Sequence, residues 1–320
     1  MTDGRTRVAD HEEHSRRSVP SDGVRIRDRA ARDAAATLEA ALRSLAWADE
    51  ILVVDMASRD ATVEIARRHA TRVLAAEVAP RVDGIRTRWA DEADGDWVFV
   101  LDADEWLDYG AGDEIRRLVA AHGARVDAFA IPRFNSIAGQ VMRGSGWYPD
   151  HQIRLFRKGT VRWSDTHHTP PEVAGGRRRL VELMPPVCLH IHHRNYESLR
   201  HFAEKQLAYA LSDRYDPKPA SFDFAAYVAG ACETLATRDD PAADGDLSHA
   251  LALLLAWDLI VRGIVHWESL EPRPPLDLQA ALSAGPGRVP WWRVRVRRWL
   301  GRRRARAHYA RRLRDVLRRP

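Results

Sequence analysis

The sequence has 320 residues, a mass of 36.2 kDa, a formal net charge of +5 and an apolar fraction of 45%. These values are typical of a folded globular protein and exclude a chain that is disordered throughout or collagen-like. The two cysteines, Cys188 and Cys232, lie far apart in the sequence, which argues against a disulfide framework and favours a reducing cytoplasm. Residues 1–23 lack the apolar core of a signal peptide and are predicted to be disordered. Because no run reaches about 18 apolar residues, we expect no membrane span.

Helices and strands are predicted to alternate between residues 34 and 102. Apolar residues at helical spacing predict helices over 34–48, 58–70 and 82–94, and short apolar runs predict strands over 50–55, 71–78 and 97–102. These strands are apolar throughout instead of alternating with polar residues, which is typical of a parallel sheet covered by helices on both faces. The predicted fold class is therefore α/β, with a Rossmann-like and mostly parallel sheet.

The remaining segments change in character along the chain. Strands are expected over 128–134, 151–158 and 185–193, and helices over 197–215, 222–238 and 247–267. The chain is thus predicted to contain a lead-in (1–23), an α/β domain (24–195), a helical extension (196–267), a linker rich in Pro and Gly (268–290) and a basic tail (291–320).

Carboxylates follow two of the predicted strands. Asp55 ends the strand 50–55, while Asp102 and Asp104 follow the apolar run 97–101. In open parallel sheets, ligands bind outside the carboxyl ends of the strands. Such hard oxygen ligands suit Mg²⁺ or Mn²⁺, whose coordination is often completed by phosphate oxygens. The sequence therefore predicts a metal-bound nucleotide diphosphate at this edge; the alternative is that the acids only cap the next helix.

Several motifs together resemble family 2 glycosyltransferases. "EILVVDMASRDATVEIA" resembles the second-strand signature of that family, and "GDWVFVLDADE" is similar to its D-x-D segment. "WADE", "WYPDHQIRLFRKG" and "LHIHHRNYESLRHFAEK" resemble the branch typified by lipopolysaccharide-core glucosyltransferases. The resemblance covers roughly residues 38–267. It implies a GT-A fold and an inverting sugar transfer from a nucleotide-activated donor.

The resemblance also implies roles for the donor side of the site. Asp55 would hold the base or ribose of the donor nucleotide, and Arg88, in "IRTRWADEA", would lie near the diphosphate. Asp102 and Asp104 form the D-x-D pair, which contacts the donor and binds the metal, with Asp104 as the more direct ligand.

On the acceptor side, the resemblance implies that Asp150, in "YPDHQIRLF", is the general base that takes the proton of the acceptor hydroxyl. Gln152 and Arg154 follow on the same strand and are expected to contact the acceptor or a phosphate. The alternative for Asp150 is a structural aspartate in a turn that contains Pro149.

Five histidines fall in two short segments of the sequence. His192 could supply an additional metal ligand, or the histidines could simply bond to backbone groups. A zinc site built from them is a further alternative. The five are His167, His168, His190, His192 and His193.

The sequence departs from the family pattern at the expected first strand. The corresponding region reads "SVPSDGVRIRDRAARDAAATLEA", in which only "GVRIRD" could form a strand, and the usual glycines around Asp55 are missing. Both changes concern the nucleotide pocket. They leave open a catalytically inactive relative that serves as a binding or scaffold protein.

The basic tail admits three interpretations. Its Trp residues and dense arginines suit an interfacial helix on anionic lipid, its charge suits nucleic-acid phosphates, and it could equally be a solvated basic helix.

With the resemblance, the sequence predicts a cytoplasmic, hexosyltransferase-like enzyme of bacterial cell-envelope polysaccharide synthesis, peripheral at the inner face of the plasma membrane. The expected donor is a UDP-sugar, and the expected acceptor is a saccharide, a lipid-linked sugar or a small molecule. The alternatives are the inactive scaffold, a zinc-dependent hydrolase that uses the histidines, and a nucleic-acid-binding module centred on the tail.

Overall fold

A computed structural model describes residues 24–78, 83–164, 170–185, 189–212 and 218–287; for 24–31, 83–85 and 284–287 it describes the backbone alone. The predicted lead-in and basic tail lie outside these residues. The strands are β1 (Val24–Ala31), β2 (Ile51–Asp55), β3 (Arg72–Ala75), β4 (Trp97–Leu101), β5 (Glu105–Leu107), β6 (Ala128–Ile137), β7 (Gln140–Val141), β8 (Asp150–Arg157), β9 (Val161–Arg162), β10 (Glu172–Val173), β11 (Leu180–Glu182) and β12 (Ile191–Tyr196).

The α/β half also contains four helices, and five more follow β12. They are α1 (Leu38–Ser44), α2 (Thr62–His69), α3 (Asp83–Asp91), α4 (Ala111–His122), α5 (Leu199–Ala210), α6 (Phe224–Arg238), α7 (Pro241–Asp244), α8 (Asp246–Glu268) and α9 (Leu278–Gly287).

The main sheet has the order β3-β2-β1-β4-β8-β6-β12-β5, with β7 and β11 paired to β6. The first four strands are parallel, β8 runs antiparallel to both β4 and β6, and β12 is parallel to β6. Every residue of β2 and β4 is buried, as expected for parallel strands with helices on both faces. The α/β class is therefore confirmed, with four adjacent parallel strands in the first half of the sheet and mixed pairing in the second half.

The first strand, which the sequence left in question, is present. β1 lies between β2 and β4 and is parallel to both, and it has a register irregularity between Arg27 and Ala30. It extends three residues beyond the quoted "GVRIRD" segment. The departure of this segment from the family pattern therefore does not remove the central strand of the sheet.

Two apolar layers cover the sheet. One contains Leu38, Leu42 and Ile115 from α1 and α4 packed on Phe99 and Phe129 of the sheet. The other packs Ala90 of α3 and residues of the β9–β10 hairpin on the opposite side, against Val98, Val100 and Phe156. Both faces of the central strands are thus dry, which leaves the strand ends as the place for polar groups.

The helical extension packs beside the far end of β6. Phe202 of α5 and Leu251 of α8 bury themselves with Ile137. Asp244, at the end of α7, is 2% exposed and accepts hydrogen bonds from the backbone N–H groups of Arg143 and Gly144 at 2.6 and 3.0 Å. It also accepts the hydroxyl of Ser145 at 2.8 Å. The extension is therefore fastened to the loop that precedes β8.

Two expectations for this part of the chain change. Helix α9 occupies much of the segment predicted as a linker, because Leu276 and Ala281 find apolar partners on α6 and α8. Helix α8 is long and apolar enough, by length and composition alone, to cross a membrane. One face of it is nevertheless buried against the protein, including Leu251, Ala252 and Ala256.

Candidate active site

The carboxylates that follow β2 and β4 lie at one edge of the parallel sheet. Asp55 is the last residue of β2 and accepts the backbone N–H of Ser58 at 3.3 Å. Asp102 follows β4, and β1 lies between these two strands. Since neighbouring strands are about 4.8 Å apart, the two strand ends are separated by about 10 Å. The structure thus brings both predicted donor-side residues to the same edge.

Asp102 is held by two arginines. Arg154 donates to its Oδ2 from Nη2 at 2.9 Å, and Arg86 donates to its Oδ1 from Nη2 at 3.1 Å. Asp102 and Arg154 are buried at 4% and 2% exposure. Arg88, the residue proposed from the sequence, is instead exposed on α3, where its guanidinium lies over the ring of Trp89. Arg86 therefore replaces Arg88 as the arginine beside the D-x-D segment.

Glu105 links the D-x-D segment to the strand that carries Asp150. Its carboxylate is fully buried, and its Oε1 accepts from Arg154 Nη2 at 2.9 Å and from Arg133 Nη1 at 2.6 Å. Its Oε2 accepts the backbone N–H of Asp102 at 3.0 Å. Sequence reasoning gave neither Glu105 nor Arg133 a role. The available signal was an arginine inside the apolar strand run "AFAIPRF", where a buried charge requires a partner.

Asp150 lies opposite Arg133 in the β6–β8 register. Its Oδ2 accepts from Arg133 Nη2 at 2.6 Å and from Asn135 Nδ2 at 3.0 Å, and its Oδ1 accepts from Gln152 Nε2 at 2.7 Å. Burial acts to raise the pKa of Asp150, but the charge of Arg133 and these hydrogen bonds outweigh it and hold the pKa below the ordinary value. Asp150 is therefore an oriented carboxylate that is ionised at neutral pH.

Six side chains form one continuous set of ion pairs, which we call the charge network. Three carboxylates alternate with three guanidinium groups, so the network is electrically neutral as a whole. Arg154, which the sequence predicted to contact the acceptor or a phosphate, lies inside it. The members are Arg86, Asp102, Arg154, Glu105, Arg133 and Asp150.

His193 lies closer to the D-x-D segment than the predicted His192. Its Nε2 is 3.5 Å from Asp104 Oδ2, and its Nδ1 is 2.8 Å from Asn135 Oδ1. The amide of Asn135 donates to Asp150, so Asn135 and His193 connect the carboxylates of Asp104 and Asp150.

His192 belongs to the other face of the sheet, because adjacent strand residues alternate in direction. It stacks on Trp106, its cross-strand partner, and its Nε2 is 2.7 Å from Asp108 Oδ1. His190 stacks on Phe134 on the same face as His192.

The histidines therefore do not converge on one ion in the described part of the chain. Among the described residues, no group of three or more His, Cys, Asp or Glu side chains is arranged to hold a metal. His167 and His168 lie outside the described residues, so the zinc alternative is tested only for the other three.

A pocket of about 850 Å³ opens beside Asp150. One wall contains Arg86, Arg133 and Gln152. The other wall is formed by β9, β10 and the residues that follow them. The second wall includes Trp163, Pro170, Pro171, Glu172, Val173, Gly176, Arg177 and Leu180. The pocket is large enough for a sugar-sized ligand to reach Asp150.

Comparisons with known proteins bear on this site. Residues 30–183 match the family model described as Glycosyl transferase family 2, from the end of β1 to just past β11. The match supports a family 2 glycosyltransferase. Together with the described sheet, it confirms the GT-A fold that the resemblance implied. Helices α5 to α9 lie outside the matched segment, and the lipopolysaccharide-core branch stays a prediction.

A curated relative and two solved structures show similarity. A TPR repeat-containing protein of Synechococcus elongatus is 37% identical over 122 residues, and this match spans 38% of the present chain and 28% of the relative. The crystal structure of S. aureus TarS 1–349 has 15% identity and a TM-score of 0.38, over 61% of this chain and 67% of that one. Glucosyl-3-phosphoglycerate synthase from Mycobacterium tuberculosis, solved with Mn²⁺, UDP and glucosyl-3-phosphoglycerate, has 16% identity and a TM-score of 0.38, over 62% and 82%.

Proposed function

We propose that this protein transfers a sugar from a nucleotide-diphosphate sugar to an acceptor hydroxyl. The observation that carries the proposal is the joining of two sites by one charge network. Asp102 lies at the strand edge where ligands bind in this fold class, and Asp150 lines a pocket that has room for a sugar. Arg154, Glu105 and Arg133 connect the two without a gap.

The residues present fit a divalent cation. Asp104 would hold the ion, and His193 would be its second ligand in place of His192, because His193 Nε2 lies 3.5 Å from Asp104. Asn135 Oδ1 also accepts from Asn195 Nδ2 at 3.2 Å, while its own Nδ2 donates to Asp150. The Nδ1 of His193 must therefore be the donor in its bond to Asn135, so Nε2 is the ring nitrogen that would bind the ion beside Asp104.

Two protein ligands match the usual pattern for Mg²⁺ or Mn²⁺, which are bound by one or two carboxylates and complete their shell with water and substrate phosphates. When bound, the ion would balance the charge that develops on the departing diphosphate. Asp102 would not bind the ion, because both of its oxygens already accept hydrogen bonds from arginines. It would orient Arg86 and Arg154 towards the donor.

Asp150 would be the general base. Its Oδ2 is fixed by Arg133 and Asn135, whereas its Oδ1 accepts only the Gln152 amide among the bonds described. An acceptor hydroxyl that donates to Oδ1 would be aligned for attack and would transfer its proton as the new glycosidic bond forms. The low pKa makes Asp150 a weak base, so the proton would move late, when the attacking oxygen has become acidic.

The finer features of the function belong to the same proposal. We expect inversion at the anomeric carbon, because a single positioned carboxylate beside the acceptor serves a direct displacement. A UDP-sugar is the expected donor, with Asp55 contacting the nucleoside. The expected setting is the cytoplasmic side of a bacterial cell envelope, with a saccharide, lipid-linked or small-molecule acceptor.

Titration calorimetry of UDP, GDP and dTDP into the full-length protein, with and without Mn²⁺, tests the donor half. We expect one nucleotide to bind in a metal-dependent manner, and Asp104→Asn to remove the metal dependence. Asp108→Asn is the matched control, because Asp108 follows the same segment but pairs with His192 on the other face. No binding of any nucleotide by the folded protein would contradict the proposal and would favour the alternative of an inactive scaffold protein. Equal binding by the two variants would contradict the metal assignment.

A further inference from the structure

Helix α8 carries an exposed apolar stripe. Leu253, Trp257 and Ile264 are 61%, 39% and 45% exposed. Their spacing of four and seven residues places them on one face of the helix. We call these three side chains the α8 stripe; it extends for about 16 Å along the helix.

Exposed polar residues flank the stripe at both ends, namely His249 and Glu268. The opposite face of α8 is buried, including Leu251, Ala256 and Gly263. The helix therefore lies along the surface of the protein with one face in the core and one face open.

The open apolar surface is concentrated in the helical extension. Of the eleven exposed large apolar side chains in the described part of the chain, eight lie between residues 196 and 287, so the α/β half contributes little. The eight are Leu207, Leu211, Leu235, Leu253, Trp257, Ile264, Leu278 and Leu282. Isolated exposed leucines need no explanation, but an ordered stripe on one helix indicates a contact surface.

The sequence that follows α9 is strongly basic. Residues 291–320 contain thirteen arginines and one aspartate, together with Trp291, Trp292 and Trp299. Since the whole chain carries only +5, residues 1–290 have an excess of acidic side chains. Attraction to an anionic surface is therefore expected from residues 291–320, which follow α9 in the sequence.

We propose that the α8 stripe docks on a lipid surface with anionic headgroups, with the tail supplying the electrostatic attraction. A chain that combines an exposed aliphatic face with a segment rich in Trp and Arg has the composition of interfacial membrane proteins. A second copy of the chain on the stripe would bring two strongly basic tails together, which like-charge repulsion opposes. A nucleic acid would engage the arginines but leave Leu253 and Ile264 in water.

The experiment is flotation of the full-length protein with phosphatidylcholine vesicles, with and without 30% phosphatidylglycerol, at two salt concentrations. The test variant is Leu253→Gln/Trp257→Gln/Ile264→Gln, whose changes lie at exposed positions. The matched control is Tyr109→Gln/Val141→Gln, which removes exposed apolar side chains from the α/β half. A third variant, Arg302→Gln/Arg303→Gln/Arg304→Gln, reduces the charge of the tail.

We expect the wild type and the control to float with the anionic vesicles alone. The stripe variant should lose about tenfold or more in partition coefficient, a difference of about 1.4 kcal/mol or more, and keep its dependence on salt. The arginine variant should bind more weakly with a shallower salt dependence.

Other results would overturn the inference. One is failure of the wild type to bind anionic vesicles, including the case in which it binds RNA instead. Another is a stripe variant that floats like the wild type, as expected if the tail itself covers the stripe. A third is a wild-type dimer in sedimentation velocity that the stripe variant converts to monomer.

Discussion

The α/β half buries charged side chains, whereas the helical extension exposes apolar side chains. At the strand edge, three carboxylates and three arginines lie largely out of water, and each charge has a partner. In the extension, apolar side chains such as Leu253 and Leu211 remain in water. Buried charge is retained where a particular arrangement is needed, whereas open apolar surface is retained where another surface is met. We therefore expect the first half to carry the chemistry and the second to carry the docking surface.

The largest effect on stability is expected from breaking the charge network at its centre. Glu105→Gln would leave Arg133 and Arg154 buried with less compensation, and removing one partner of a buried ion pair costs about 3–5 kcal/mol. Chemical denaturation measures the loss. The same substitution at Glu204, which pairs with Arg200 on the surface of α5, should leave stability unchanged within error. Equal effects at the two positions would show that the network does not stabilise the fold.

The pH dependence of Asp150 sharpens the comparison. Its pKa in the folded protein is below the ordinary 3.8, so its ion pair stabilises the fold at every pH above the pKa of the unfolded chain. That contribution is lost as the pH falls through the lowered folded value. The stability difference between the wild type and Asp150→Asn should therefore be constant from pH 7 to 5 and shrink only below about pH 4.

The pH dependence of sugar transfer should also reflect the lowered pKa of Asp150. A base that stays ionised gives no acid limb in kcat/KM above about pH 4, apart from limbs that belong to other groups. An acid limb near neutral pH that disappears in Asp150→Asn, measured against any residual activity, would contradict the low pKa. Asp150→Asn itself is expected to lower kcat by about 10²–10⁴.

The smallest effect concerns helix packing in the extension. A Cβ at Gly263 would lie 2.9 Å from the ring of Tyr227, whereas a Cβ at Gly230 would meet Leu259 at an ordinary 3.6 Å. Gly230→Ala should stabilise the protein by about 0.5–1 kcal/mol through helix propensity. Gly263→Ala should lose that gain and destabilise by about 1–2 kcal/mol, because α6 must move away from α8. Thermal unfolding of the two variants compares them, and a stabilised Gly263→Ala would show that the helices are not closely packed.

The strand edge could be predicted from sequence because its signal is local. Continuous apolar runs that end in acid predict both β4 and the position of Asp102, and the family resemblance points to Asp150, whose role stays a prediction. Which of two nearby residues faces the site was harder to predict, because it depends on the rotation of the helix or strand about its axis. Arg86 and Arg88 differ by about 200° around α3, and His192 and His193 point to opposite faces of β12. Only the packing of α3 and β12 against their neighbours decides which member of each pair faces the site.

Arg154 and Glu105 were harder for another reason. A register shift between β6 and β8 lies beside Arg154 and helps to direct it to Asp102, and no local pattern announces such a shift. The exposed face of α8 was likewise hard to predict, because apolar residues are spread around most of the helix. Only the packing of α6 against α8 in the folded protein determines which face of α8 is buried.

The hydrogen bonds of Asp244 have a thermodynamic consequence for the loop that leads to Asp150. Two backbone N–H groups and the hydroxyl of Ser145 are held by a carboxylate that belongs to another layer of the molecule. The loop is therefore ordered before any substrate arrives, and an acceptor need not give up part of its binding free energy to order it. Ordering backbone costs about 1–2 kcal/mol per residue. Because the helical extension already orders the loop, an acceptor of modest intrinsic affinity could still bind beside the proposed base.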